Sequence, residues 1–195
     1  MNWLKIIVAL LMMGLLSSCI LNTSQRFSYN HKTGDLVTEW IDLRSQKGRN
    51  DKDYSIEKDW EELKQMLHSD DSEHDENVVD LINRELYQDG DVLSGRITWR
   101  VRCPDCFPGV IDVMRYLHKG EEKSYRFEDI RGDMFLFLPK GRRVIETNGE
   151  VLETSKNWVI VWPGDAELIE FTIRGEHTGG KSLLPFFLND EELNP

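Results

Sequence analysis

The chain has 195 residues, with 24 Lys and Arg against 35 Asp and Glu, and its formal net charge is −11. This length suits one domain with its own core and is short for two. The sign of the charge disfavours nucleic acid and bare anionic membrane surfaces as partners, because both are negatively charged as well.

The first 19 residues combine an apolar run with small residues and a cysteine. Ile6–Leu16 is an unbroken apolar run, which suits a signal-peptide core and is too short for a bilayer span of about 20 residues. Leu16-Ser17-Ser18-Cys19 follows and resembles the lipobox of bacterial lipoproteins. In that family the cysteine receives diacylglycerol, further acylation adds chains such as palmitate, and a peptidase cuts before the cysteine. An ordinary signal peptide is the alternative, but its Ala-x-Ala-like cleavage pattern is missing.

Lipidation at Cys19 predicts a signal peptide over residues 1–18 and a lipid-anchored tether over residues 19–25. Two or three acyl chains hold firmly at about 0.8 kcal/mol per buried methylene. The predicted location is the cell envelope. No Asp follows the cysteine, which in the enterobacterial sorting scheme favours the outer membrane over the inner one in a host with two membranes.

Two strands and two helices are predicted next. The strands cover Arg26–Asn30 and Asp35–Arg44, and Gly34 supplies the positive φ of the turn between them. The first helix follows Ser55 as N-cap. Its apolar residues recur at helical spacing and are Ile56, Trp60, Leu63 and Leu67. The acids of residues 70–76 predict the start of a second helix that runs to about Tyr87. A metal site is the alternative for these acids, but their spacing fits no EF-hand loop.

A strand over Ser94–Arg102 carries a row of arginines. Its apolar residues alternate with Arg96, Arg100 and Arg102, so the arginines lie on the polar face. Such a row repels itself unless something compensates it. One hypothesis is that it binds the phosphate of a lipid headgroup. The alternative is pairing with carboxylates of neighbouring strands, such as Glu39, Asp42, Glu167 or Glu170.

Cys103 and Cys106 form a C-x-x-C pair. Because the chain is predicted to be exported, the pair predicts a disulfide that clips a loop. A redox-active pair is an alternative. A zinc site is another, but it needs four ligands, and a second C-x-x-C is missing from the sequence.

The rest of the chain predicts one more short helix, over Pro108–His118, and several strands. Two hairpins are predicted, one at Asn148-Gly149 and one at Pro163-Gly164-Asp165. The first hairpin covers Arg143–Leu152, and the second pairs Asn157–Trp162 with Glu167–Arg174. Tyr125–Ile130 and Met134–Leu138 are predicted as separate strands. The apolar stretch Ser182–Leu188 is too short to be a second anchor.

The segment Leu138–Glu150, with Trp158–Trp162 after it, resembles the end of the LppM-like lipoprotein domain and of related uncharacterised lipoproteins. There a Leu-Pro-Gly, Val, Ser-Asn-Gly segment precedes a Val-x-Trp strand. This chain departs from the pattern at Lys140, and it lacks the C-terminal transmembrane helix common in that family. The resemblance implies an α+β fold, a cell-envelope location and binding of lipid-like molecules, and it implies no catalytic residues.

Together these patterns predict one α+β domain over residues 26–188, with a tail over residues 189–195. We expect a mainly antiparallel sheet with two or three helices packed on one face. The predicted function is a non-enzymatic lipoprotein without a cofactor, which is held at the membrane by its lipid and binds a lipid-like ligand or an envelope protein. There are two alternatives. One is an envelope assembly or interaction subunit without a small ligand, and the other is an exported thiol oxidoreductase that uses Cys103 and Cys106.

Overall fold

The structure is a computed structural model and describes residues 20–48, 53–68, 79–102, 126–175 and 179–193. Strands predominate among these residues. They are β1 (Ile20–Leu21), β2 (Ser24–Asn30), β3 (Asp35–Ile41), β4 (Arg44–Ser45), β5 (Val79–Asp89), β6 (Val92–Val101), β7 (Arg126–Ile130), β8 (Asp133–Pro139), β9 (Val144–Thr147), β10 (Glu150–Glu153), β11 (Asn157–Trp162), β12 (Leu168–Arg174) and β13 (Lys181–Ser182). The helices are α1 (Ile56–His68) and α2 (Leu184–Leu188).

Two antiparallel sheets form the body of the protein. The larger has six strands in the order β5-β6-β3-β2-β12-β9, and the smaller has four in the order β10-β11-β8-β7. Apolar and polar residues alternate along the strands, as Ile169, Phe171 and Ile173 do in β12. Because successive side chains point to opposite faces, each sheet has one apolar face.

The apolar faces of the two sheets pack against each other and form the main core. Phe171 of the larger sheet lies at its centre: its ring is 5.9 Å from that of Trp162 in the smaller sheet and 4.8 Å from that of Phe27 on the next strand. Each such side chain contributes about 1.5–3 kcal/mol by leaving water. The protein is therefore a β-sandwich.

A second, smaller core lies beside the sandwich. The three-stranded sheet β1-β4-β13 and both helices contribute to it. Its buried residues are Leu43, Trp60, Leu63, Leu93, Leu183 and Phe187. The predicted N-cap of α1 is confirmed, because the Ser55 hydroxyl accepts a hydrogen bond of 3.0 Å from the Lys58 amide.

The predicted α+β fold, with helices covering one face of the sheet, is wrong, and so is the fold that the family resemblance implies. The apolar face of the six-stranded sheet packs against the second sheet. The second predicted helix is also wrong from Val79 onward, where the chain forms β5. Leu, Glu and Arg in this segment favour a helix locally, but cross-strand pairing with β6 decides the outcome.

Neither predicted hairpin forms, although the four strands of the two hairpins all exist. The strands β9 and β12 belong to the six-stranded sheet, whereas β10 and β11 belong to the four-stranded sheet. The turns at Asn148-Gly149 and at Pro163–Asp165 therefore carry the chain from one sheet to the other. Asn148 ties the two together: its Oδ1 accepts a hydrogen bond from the Trp162 indole at 2.7 Å, and its Nδ2 donates to the Leu168 carbonyl at 2.9 Å.

Both edge strands of the six-stranded sheet carry a β-bulge at an isoleucine. In β5 the register with β6 passes from Leu81 to Asn83, and Ile82 is the extra residue. In β9 the register with β12 shifts in the same way at Ile145. These two side chains are 50% and 53% exposed. Bulges interrupt the row of backbone donors and acceptors, so they protect an edge from pairing with another chain.

Candidate functional site

The predicted site residues fall into two groups. Cys19, Cys103 and Cys106 lie outside the described residues, so the lipidation and disulfide predictions stay predictions. The same holds for the helix predicted over Pro108–His118. Arg96 and Arg100 lie on β6, and Arg102 directly follows its last residue. Within the segment predicted as a tether, Ile20–Leu21 form β1 and Ser24 begins β2.

Each arginine of the row meets a carboxylate on a neighbouring strand. Arg96 lies 2.7 Å from Glu39 in β3 and 2.9 Å from Glu85 in β5. The two remaining pairs are Arg100–Asp35 at 2.8 Å and Arg102–Asp80 at 2.5 Å. Carboxylates of neighbouring strands thus compensate the positive charges of the row. This pairing is the alternative to headgroup binding that the sequence left open. Of the four partners suggested there, only Glu39 pairs with an arginine of the row.

Glu39 is the centre of this polar face and is 5% exposed. Its carboxylate also accepts hydrogen bonds of 3.1 Å from Arg26 on β2 and from the Tyr87 hydroxyl on β5. The strand register explains the cluster, because Glu85, Arg96, Glu39 and Arg26 lie directly opposite one another on four adjacent strands.

The electrostatics of the cluster keep Glu39 ionised. Burial opposes ionisation, but the hydrogen bonds from Arg96 and Tyr87 and the charges of Arg96 and Arg26 outweigh it, so the pKa of Glu39 is lowered. Burial and the nearby Glu39 charge raise the pKa of Tyr87. The guanidinium groups therefore neutralise the buried carboxylate of Glu39 within the sheet. This pairing argues against a phosphate-binding role for Arg96.

A shallow cleft with aromatic walls lies between α1 and α2. Its volume is about 380 Å³, at the low end for small-molecule pockets. The lining residues are Trp60, Pro185, Phe186, Asn189 and Asp190. The polar groups of the cleft already have partners: Asp190 accepts from the Trp60 indole at 3.2 Å and pairs with Lys64 at 3.0 Å. Lys64 and Trp60 lower the pKa of Asp190.

Two buried hydroxyls, those of Tyr29 and Ser94, have no hydrogen-bond partner among the described residues. Tyr29 is almost fully buried on the core side of β2. Burial raises the pKa of Tyr29 to about 12, so the phenol stays neutral. Neither Tyr29 nor the coupling of Glu39 to Tyr87 is predictable from periodicity, because both depend on packing between strands that are distant in sequence.

Two further features concern the described segments alone: clusters of metal ligands and membrane-spanning helices. No group of three or more His, Cys, Asp or Glu within them could hold a metal ion. No helix among them has the length and apolar character needed to cross a membrane.

No protein-family model matches the chain, and no curated protein or solved structure matches it significantly. The resemblance to LppM-like lipoproteins stays a prediction from the quoted residues.

Proposed function

We propose that the chain is a lipoprotein of the bacterial envelope, anchored through diacylglycerol on Cys19, and that its β-sandwich is a non-enzymatic module that binds a partner. The observation that carries this proposal is where the lipobox-like segment ends: Cys19 directly precedes Ile20, the first residue of β1.

The start of the described fold supports an anchor with very little spacer. Ile20 and Leu21 pair with Ser45 and Arg44 of β4, and Ile20 packs against the second core. The Thr23 amide then donates a 3.0 Å hydrogen bond to the Ile41 carbonyl. The backbone is thus held within the domain from the residue after Cys19, so the lipid and the sandwich are joined almost directly.

A protein partner in the envelope fits the described surface better than a lipid-like ligand does. Aromatic and aliphatic side chains fill the space between the two sheets. The cleft beside Trp60 is small, and its carboxylate is already paired. The charged groups of the sheet face are engaged with one another, as Arg96 and Glu39 are, which supports a structural use of these groups over a catalytic one.

Intact-mass spectrometry of the protein purified from a bacterial membrane fraction tests the anchor. We expect a chain that begins at Cys19 and carries the mass of diacylglycerol, with or without a further acyl chain. Cys19→Ala should lose this mass. A Cys103→Ala/Cys106→Ala variant is the matched control and should keep it. A wild-type chain without acyl mass on its N-terminal peptide contradicts the proposal.

Native mass spectrometry of the detergent-extracted protein then separates the kinds of partner. A co-purifying polypeptide that withstands a high-salt wash supports the binding module, because salt screens attachments made only through exposed charges. A retained small lipid that is not covalently attached would instead identify a lipid-binding protein.

A further inference from the structure

The strand β10 is an edge of the four-stranded sheet, and all of its residues, Glu150–Glu153, are exposed. Its register with β11 has no shift. The edges of the larger sheet, β5 and β9, each carry a bulge. The other edge of the smaller sheet, β7, is regular but buries Phe127. Among the edge strands of these two sheets, β10 alone is both regular and exposed at every residue.

The hydrogen bonds of the β10–β11 hairpin determine which backbone groups face outward. The Thr154 amide donates a 2.9 Å bond to the Asn157 carbonyl. In an antiparallel pair, hydrogen-bonded and non-hydrogen-bonded residue pairs alternate. Leu152 therefore bonds to β11, whereas the N–H and C=O groups of its neighbours, Val151 and Glu153, point away from the sheet. These outward groups have no hydrogen bond to a described residue.

The side chains of β10 combine an apolar centre with acidic flanks. Val151 and Leu152 are 40% and 42% exposed. Glu153 pairs with Lys140 at 2.6 Å. Glu150, at the other end of the strand, has no ion pair to a described residue. Two adjacent apolar side chains and one unpaired carboxylate therefore border the outward backbone groups.

We infer that β10 receives an extended segment of the partner protein as an additional antiparallel strand. In this segment, two adjacent apolar residues lie opposite Leu152 and Val151, and a Lys or Arg follows opposite Glu150. The inference rests on the proposed function, because it identifies the contact through which the binding module holds its partner. In strand addition of this kind, main-chain hydrogen bonds supply affinity and the side chains supply specificity.

The edge itself selects an extended polypeptide as its occupant. The outward N–H and C=O groups recur at every second residue, and the backbone of another strand has the same repeat, whereas a lipid does not. A second copy of this chain would bring two more glutamates to the edge and its own net charge of −11, so it would be repelled. A Lys or Arg opposite Glu150 is attracted instead.

The strand β5 offers a comparison within the same protein. It also exposes two adjacent apolar side chains, Leu81 and Ile82, by 38% and 50%. The bulge at Ile82 interrupts its row of backbone donors and acceptors. We therefore expect strand addition at β10 and none at β5.

Residue-resolved hydrogen exchange of the detergent-extracted, lipidated protein tests the inference with two synthetic peptides. The first carries two adjacent valines followed by lysine, between flanking threonines. The second has the same side chains, but alternate backbone amides on its pairing edge are N-methylated. We expect the first peptide to slow exchange of the Val151 and Glu153 amides severalfold. The amide of Leu152, already bonded to β11, and that of Leu81 should change little. The N-methylated peptide should have no effect, because it lacks the donors of the added strand.

Variants of β10 make the test specific. Val151→Pro removes an outward donor at an edge position that tolerates proline, and it should abolish the protection of Glu153. Val151→Ala is the matched control: it keeps the donor and should only weaken binding. Glu150→Lys should weaken binding of the lysine peptide and strengthen binding of a peptide with glutamate in that place. Thermal unfolding checks that each variant folds, and the two peptides decide the question if Val151→Pro does not.

Three results would overturn the inference. The first is an equal effect of the two peptides, including no effect of either, and the second is protection that survives Val151→Pro in a folded variant. The third is exchange at Val151 and Glu153 that slows with protein concentration alone, which would identify a second copy as the occupant. Each of these leaves the proposed function intact if acyl mass is present on Cys19 and a polypeptide co-purifies, whereas absence of the acyl mass refutes that function itself.

Discussion

Arg96 and Glu39 lie directly opposite each other on adjacent strands, with Arg96 Nη2 2.7 Å from Glu39 Oε1 and Arg96 Nε 2.8 Å from the same oxygen. The Glu39 side chain is 6% exposed, whereas the arginine is 39% exposed. The pair therefore has one partner withdrawn from water and one at the surface. Arg100 and Asp35, on the same two strands, form a pair of the same length in which both partners are more exposed.

Arg96→Ser should therefore cost much more stability than Arg100→Ser. The first change leaves a buried carboxylate short of its main donors, which costs about 2–3 kcal/mol. The second removes an exposed pair worth about 0–1 kcal/mol. Urea unfolding followed by tryptophan fluorescence measures both. Equal losses would show that the burial of Glu39 has no energetic weight.

Glu39→Gln should flatten the loss of stability in acid. Because the pKa of Glu39 is lowered in the folded state from an ordinary value of 4.5, the ionised group stabilises the fold above that value. This contribution disappears as the pH falls through the folded pKa. The variant should be less stable than the wild type at pH 7, and the difference should shrink in acid. Thermal unfolding at neutral pH and in acid checks this, and a constant difference would contradict it.

The same substitution at two tyrosines should have opposite effects. Tyr29→Phe removes a buried hydroxyl without a described partner and should be neutral or slightly stabilising, whereas Tyr87→Phe removes a donor to Glu39 and should cost about 1 kcal/mol or more. Because the pKa of Tyr29 is raised to about 12, the wild type should also lose stability between its ordinary value of 10 and that pH, since only the unfolded state then ionises. Tyr29→Phe should reduce this alkaline loss. Denaturant midpoints at pH 7 and above pH 10 measure both effects, and destabilisation by Tyr29→Phe at pH 7 would point to a hydrogen bond at this hydroxyl.

Asn148→Ala should loosen the junction between the sheets. The change removes the acceptor of the Trp162 indole and of the Glu170 amide, together with a donor to the Leu168 carbonyl. An indole N–H left unpaired in the core costs about 1–3 kcal/mol. Asn83→Ala, at an exposed strand position, is the control and should change stability by less than about 0.5 kcal/mol. Similar losses for the two variants would rule out a special role for Asn148.

The strands of this protein are largely predictable from its sequence. The predicted segment at residues 157–162 coincides with β11, and alternation also locates β3, β6 and β12 to within a few residues. The positive φ of Gly34 and the Ser55 cap are confirmed as well. These features depend on neighbours within a few residues, which is the range over which periodicity, capping and turn chemistry act. The lipobox-like segment is local in the same way.

Which strands pair, and what covers the sheet, were decided by the tertiary structure alone. Asn148-Gly149 has the local chemistry of a hairpin turn, yet it joins two sheets because the Asn148 side chain bonds Trp162 on one and the Glu170 amide on the other. The segment from Val79 favours a helix locally and becomes a strand by pairing with β6. The compensation of the arginine row likewise depends on strands brought together by folding. Periodicity places a side chain on a face, but the partner of that face is set by contacts between residues far apart in the chain, whose energies no local pattern contains.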